Sequence, residues 1–169
     1  MHIRLASEAD LPALAELYRQ TVLVNAPQYH SSAQTQTWAA APADADQFHQ
    51  FVLAANTFIA ENDTGILGFA GIEAEGRVAS TYVRHDCLRQ GIGSALMQAV
   101  LDYAQSQGMR RLYAEASEFS LGLFKKFGFG LYNTEVVVRQ GVEFDRYLVE
   151  RHLVSPECKQ PVRNEEATA

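Results

Sequence analysis

Tyr82-Val83-Arg84-His85-Asp86-Cys87-Leu88-Arg89-Gln90-Gly91-Ile92-Gly93-Ser94-Ala95-Leu96 joins an apolar strand to a helix through the loop Arg84 to Gln90. Ile92, Leu96, Ala99, Val100, Tyr103 and Ala104 recur at helical spacing after it, and Gly108 is a natural stop. Gly91 and Gly93 stand where that helix begins. A helix start carries unpaired N–H groups and the positive end of the dipole. Glycine there lets the oxygens of an anion reach the backbone. Arg89 brings a cation to the same place. A pair of glycines alone is a weak signal, and a glycine-rich helix entry without a ligand would look the same. Two common phosphate loops are excluded. The dinucleotide fingerprint needs a third glycine where this chain has Leu96, and a tighter turn after the strand. The Walker loop needs Gly-Lys-Ser/Thr, and Gly93-Ser94-Ala95 has no lysine.

Downstream, Arg111 to Ala116 reads as a strand and Phe119 to Phe127 as a short helix closed by Gly128. Leu131 to Arg139 and Val142 to Val149 form a hairpin around Gln140-Gly141. Upstream, Ile3 to Leu5 is a short strand. Ser7 then opens a helix carrying Leu11, Leu14, Ala15 and Tyr18, with Pro12 in its first turn. Asn25 to Ala43 is irregular, with Ser31 or Ser32 able to cap a short helix bearing Trp38. Asp44 to Ala55 is helical. Thr57 to Glu61 and Ile66 to Glu73 pair around Asn62-Asp63-Thr64-Gly65, and Arg77 to Val83 is a third strand. Strands alternate with helices only in part, so an α/β fold with a mixed sheet is expected. The helix after Gly91 would be a crossover between two parallel strands.

The chain has 169 residues, enough for one domain. Residues 1–154 are expected to form it, and 155–169 read as a polar tail. The net charge is -6, which argues against nucleic acid as a partner and is compatible with a cationic amine. Cys87 and Cys158 are far apart and form no CxxC or zinc spacing, so no metal is expected. The start Met1-His2-Ile3-Arg4 lacks the apolar run of a signal peptide, and no stretch has the length of a membrane span. A cytoplasmic protein without membrane association is expected.

The run Val83 to Leu96, followed by Leu123-Phe124-Lys125-Lys126-Phe127-Gly128-Phe129, resembles the GNAT superfamily of acyl-CoA-dependent N-acetyltransferases. The likeness extends in element order over roughly residues 2 to 153. It is nearest the YafP-like branch, through Tyr29-His30-Ser31-Ser32-Ala33-Gln34 to Trp38 and through Ala116-Ser117. The resemblance implies a twisted sheet of about seven strands flanked by helices, with a V-shaped splay between the fourth and fifth. It implies acetyl-CoA as cofactor and a primary amine, on a small molecule or peptide, as acceptor. By the same resemblance the backbone of Thr81, Tyr82 and Val83 would bond the pantetheine arm like an added strand. Arg89, Gln90, Gly91, Ile92, Gly93 and Ser94 would hold the pyrophosphate. Ser117 would touch the cofactor, and Phe124 would lie beside the thioester.

Two departures stand out. Leu88 occupies the Gln/Arg position of the family loop, where contacts are largely from main chain. Phe124 replaces a tyrosine that, in many relatives, protonates the departing thiolate. A thiol of pKa near 8.5 is a tolerable leaving group without help. A non-catalytic acyl-CoA sensor is the alternative that this substitution raises.

An amine must lose a proton to be acylated, and Glu73 or Glu115 is the candidate base. For each of them the simpler reading is an exposed strand carboxylate. Tyr29, His30 and Trp38 are the candidate acceptor wall, since amphipathic rings suit a substrate surface or a core cover alike. Tyr82 could donate a proton if its ring faces the cleft. The hairpin 131–149 could pair with a second copy in a homodimer, though nothing in its sequence requires it.

Overall fold

A computed structural model describes residues 1–154; the polar tail 155–169, Cys158 included, lies outside the described residues. Seven strands and five α-helices follow in the order β1 (His2–Leu5), α1 (Leu11–Asn25), α2 (Ser32–Ala39), α3 (Ala45–Leu53), β2 (Asn56–Asn62), β3 (Gly65–Ile72), β4 (Val78–Val83), α4 (Ile92–Ser106), β5 (Arg111–Ala116), α5 (Leu121–Lys126), β6 (Gly130–Arg139) and β7 (Val142–His152). The short Trp38-bearing helix expected within Asn25 to Ala43 is α2. Ser31 caps it in a reciprocal box, with Gln34 N donating to Ser31 Oγ at 3.2 Å and Ser31 N to Gln34 Oε1 at 2.9 Å.

The strands form two antiparallel arrays, β1-β2-β3-β4 and β5-β7-β6. The parallel neighbours joined by the α4 crossover are β4 and β5, and they touch through a single bridge, Arg77 to Tyr113. Beyond it the two edges diverge without pairing, which is the V-shaped splay. Gly76 makes the junction possible. Its φ is +93°, its carbonyl accepts from Tyr113 N, and a Cβ there would sit 2.3 Å from the Arg111 carbonyl oxygen.

The sheet separates two cores. On one face, Leu96, Met97, Val100 and Leu101 of α4 pack on Ala70, Ile72, Leu112, Ala114 and Val149. On the other, Leu14, Tyr18 and Val22 of α1 and Phe48 and Val52 of α3 cover Ile59 and Phe69. Strand alternation then sorts β5: Leu112, Ala114 and Ala116 face α4, and Glu115 faces the side of α1 to α3. Gln34 Nε2 donates to the Glu143 carbonyl at 2.8 Å, tying α2 to the β6–β7 hairpin.

One half-buried ion cluster anchors α1. Arg4 donates to both oxygens of Asp10 at 2.7 and 2.8 Å and to both oxygens of Glu61 at 2.9 and 3.0 Å, and Ser7 N donates to Asp10 Oδ2 at 2.8 Å. The Arg4 hydrogen bonds hold Asp10 well below the usual carboxylate range. A lowered carboxylate pKa stabilises the fold above the unfolded value, near 4, and that contribution is lost as pH falls through the folded value. Arg4→Met is expected to cost about 2 kcal/mol at neutral pH. Its gap from the parent should shrink below about pH 4. Urea titrations at several pH values check this; a gap that does not vary with pH removes the Arg4–Asp10 account.

Candidate active site

The splay opens two connected hollows. One, about 110 Å³, lies between the end of α1, the free edge of β4, and the β5–α5 turn. The other, about 290 Å³, lies between α1, α2, α3 and the β6–β7 hairpin. Trp38, Ala79, Tyr82, Glu115 and Ser117 border both, so the hollows meet at the splay.

The smaller hollow has the features of a groove for an extended chain. Among the described residues, the backbone edge of β4 beyond Arg77 has no strand partner. Thr81, Tyr82 and Val83 line it, with Thr21 Oγ1 donating to the Val83 carbonyl at 3.1 Å. Asn25, also on its wall, is 5% exposed, and its Nδ2 has no hydrogen-bond partner. A buried donor left unbonded costs ~1–3 kcal/mol, so a ligand carbonyl in this groove would relieve it. Phe124 is buried edge-to-face against Phe129 at 5.1 Å, and it offers the groove a phenyl ring and no proton. Ser117 and Ser120 bond each other through their hydroxyls at 3.2 Å on the opposite side.

Past the strand end lies the glycine loop. Arg89 and Gly91 both have left-handed backbone, at φ 63° and 84°, and turns with such residues are the kind that build anion-binding concavities from successive N–H groups. No side chain caps α4, and Ala95 N to Gly91 O is its first intrahelical bond. A Cβ built on Gly91 meets nothing within 4 Å, so the space in front of the helix start is open. Lys126 Nζ donates to Ser94 Oγ at 2.8 Å and places a cation beside the same turn.

The larger hollow is lined with rings. Tyr82 stacks on Phe69 at 5.3 Å and lies against Tyr18 at 4.3 Å. Trp38 Nε1 donates to Tyr82 Oη at 3.2 Å. Burial pushes both the Tyr18 and Tyr82 phenols up, so both stay protonated at neutral pH. His30 stands edge-on to Trp38 at 5.4 Å and near Phe144 at 6.4 Å, with Nε2 buried and unbonded. Tyr29 borders neither hollow; it is exposed and leans on Phe119.

Arg77 joins the two carboxylates singled out in the sequence. Its Nε donates to Glu115 Oε2 at 2.9 Å and its Nη1 to Glu73 Oε1 at 2.9 Å. Glu115 borders both hollows, whereas Glu73 borders neither. Burial pushes the Glu73 carboxyl up, against the lowering charge of Arg77. Arg77, Thr21 and Asn25 are site residues that no sequence motif marks. The Glu73–Arg77 spacing is a faint hint, but Arg77 meets Glu115 across 38 residues, which no local pattern announces.

A family model described as an acetyltransferase (GNAT) domain matches residues 25–150. The chain belongs to the GNAT acetyltransferase family. Solved GNAT structures share its fold. A GCN5-related N-acetyltransferase from Rhodopseudomonas palustris is 22% identical and superposes with a TM-score of 0.86, over 90% of this chain and 95% of that one. The PaiA N-acetyltransferase from Thermoplasma acidophilum, solved in complex with coenzyme A, is 14% identical with a TM-score of 0.73, over 90% and 100%. A phosphinothricin acetyltransferase from Sinorhizobium meliloti, in complex with acetyl-CoA, is 23% identical with a TM-score of 0.65, over 96% and 94%. No curated protein matches the chain. Among the described residues of this GNAT chain, no helix is long and apolar enough to cross a membrane, and no cluster of three or more His, Cys, Asp or Glu could hold a metal.

Proposed function

We propose that this GNAT protein is an acetyl-CoA-dependent N-acetyltransferase that acetylates a primary amine by direct transfer. The observation that carries the reading is the meeting of two hollows at Tyr82, Trp38, Glu115 and Ser117: a groove along an open strand edge on one side, a ring-lined cleft on the other. The coenzyme A and acetyl-CoA complexes among its structural neighbours support assigning the groove to that cofactor. The Tyr29 to Trp38 stretch and Ala116-Ser117 support placing it near the YafP-like branch.

In this reading the loop at Arg89, Gln90, Gly91, Ile92, Gly93 and Ser94 takes the pyrophosphate on backbone N–H groups, with Lys126 adding charge nearby. The β4 edge at Thr81 to Val83 and the Asn25 amide take the pantetheine arm. Bound acetyl-CoA supplies the thioester whose carbonyl an amine attacks. Glu115, oriented by Arg77, accepts the proton of that amine directly or through water. Glu73 acts through Arg77 as its second counter-charge. Trp38 and His30 form the acceptor wall, and the Tyr82 hydroxyl, which accepts from Trp38, keeps its own proton available at the splay.

The test is thiol release from acetyl-CoA against a panel of amines, amino acids, polyamines and peptides, with coenzyme A affinity measured by calorimetry. Turnover with at least one amine is expected. Tight binding with silence across the panel rejects catalysis and favours a sensor; absence of binding rejects the cofactor assignment as well.

A further inference from the structure

The acceptor cleft holds three arginines, Arg77, Arg139 and Arg146. Two are neutralised. Arg77 is bonded to Glu73 and Glu115, and Arg146 to Glu135. Arg139 has no carboxylate partner among the described residues. It stands at the end of β6, opposite Val142 and on the face that carries Val137, Glu135, Phe144 and Arg146 toward the cleft. Its positive charge reaches across to the phenols of Tyr18 and Tyr82 on the far wall. The cleft's other unpaired charge, Asp145, pairs with exposed Val136, and alternation with Phe144 and Arg146 puts it on the opposite face of the hairpin. Among the described residues the cleft therefore has one uncompensated cation, at its exposed hairpin rim, in a chain whose net charge is -6.

From these positions we infer that the acceptor is an amino acid with an apolar or aromatic side chain, bound with its carboxylate on Arg139. A guanidinium takes a carboxylate through two parallel hydrogen bonds. The rings of Trp38, Phe48, Phe51 and Phe144 suit an apolar side chain and no second charge. Holding the carboxylate at Arg139 leaves the amine free to lie toward Glu115 and the splay. A decarboxylated amine of the same shape loses the one anchor the cleft offers. The inference rests on the acetyltransferase reading and names the class of its acceptor.

Matched pairs test it: phenylalanine against phenethylamine, and leucine against isopentylamine, with thiol release from acetyl-CoA as the readout. Each amino acid is expected to exceed its amine in kcat/KM by about 5-fold, the upper scale of one exposed ion pair. Arg139→Gln should erase that preference by raising KM for the amino acid, with coenzyme A affinity and the thermal midpoint unchanged because Arg139 is an exposed hairpin residue. Arg139→Lys should recover part of it. Amines turned over as well as amino acids, or a preference that survives Arg139→Gln, overturns the acceptor class while leaving the acetyltransferase standing. Coenzyme A binding with no thiol release from either class overturns both.

Discussion

Gly91→Asp is expected to lower coenzyme A affinity by about a hundredfold or more while the protein stays folded. Gly91 is the N-cap of α4 with φ +84°, and nothing lies within 4 Å of a Cβ built there. Aspartate is among the few residues other than glycine that tolerate left-handed backbone, so the helix start survives. The carboxylate would project into the concavity that Arg89 and Gly91 form, where the proposed pyrophosphate sits. Two like charges at about 4 Å and an effective dielectric near 20 repel by about 4 kcal/mol, which exceeds the ~2.7 kcal/mol of a hundredfold change. Gly91→Asn supplies the same shape without the charge and should lose far less. Calorimetry with coenzyme A, beside thermal melts, reads both variants. Unchanged affinity for the aspartate variant would reject the loop as the phosphate site.

Glu115→Gln is expected to cut kcat about 10² to 10⁴-fold, the usual contribution of a positioned base. The change is isosteric, and Gln Oε1 still accepts from Arg77. Arg77 keeps Glu73 as counter-charge, so no bare cation is left at the junction of the two arrays. Coenzyme A affinity should therefore hold, since the glycine loop lies at the far end of β4. Glu73→Gln, by contrast, changes only the second partner of Arg77 and should have a small effect on kcat. Steady-state thiol release for both variants decides between the two carboxylates. Equal losses would mean that the Arg77 ion-pair network, rather than Glu115 itself, sustains the rate.

Much of the fold was legible because its signals are local. The α4 stripe from Ile92 to Ala104 depends only on spacing; Ile92, Leu96, Val100 and Ala104 of it are buried against the sheet together with Met97 and Leu101, while Ala99 and Tyr103 are only partly buried. The paired strands β2 and β3 were marked by Asn62 to Gly65, and β6 and β7 by Gln140-Gly141. The divergence of β4 from β5 was expected only by family likeness, since the Gly76–Arg111 contact that sets it links residues 35 apart. Within the otherwise irregular Asn25 to Ala43, the serines at 31 and 32 mark the start of the short Trp38-bearing helix, and Ser31 is the one that caps it, in a box with Gln34. No periodicity fixes the extent of α2, whose few apolar residues are separated by polar ones; the Gln34 tether to Glu143, 109 residues away, holds it in place.

By itself, then, the sequence determined the glycine-marked helix entry, the strand and helix succession, and the residue types from which a site had to be drawn. Each follows from backbone chirality at glycine or from periodicity within one element. The tertiary structure alone decided which of those residues meet. Trp38 reaches Tyr82 across 44 residues, Arg77 reaches Glu115 across 38, and Thr21 reaches Val83 across 62. It set Glu115 in the cleft and left Glu73 behind Arg77, and it placed Tyr29 outside. It also left Arg139 as the cleft's unpaired cation among the described residues. These outcomes depend on strand register and sheet face, where a shift of one residue would turn every side chain to the other side.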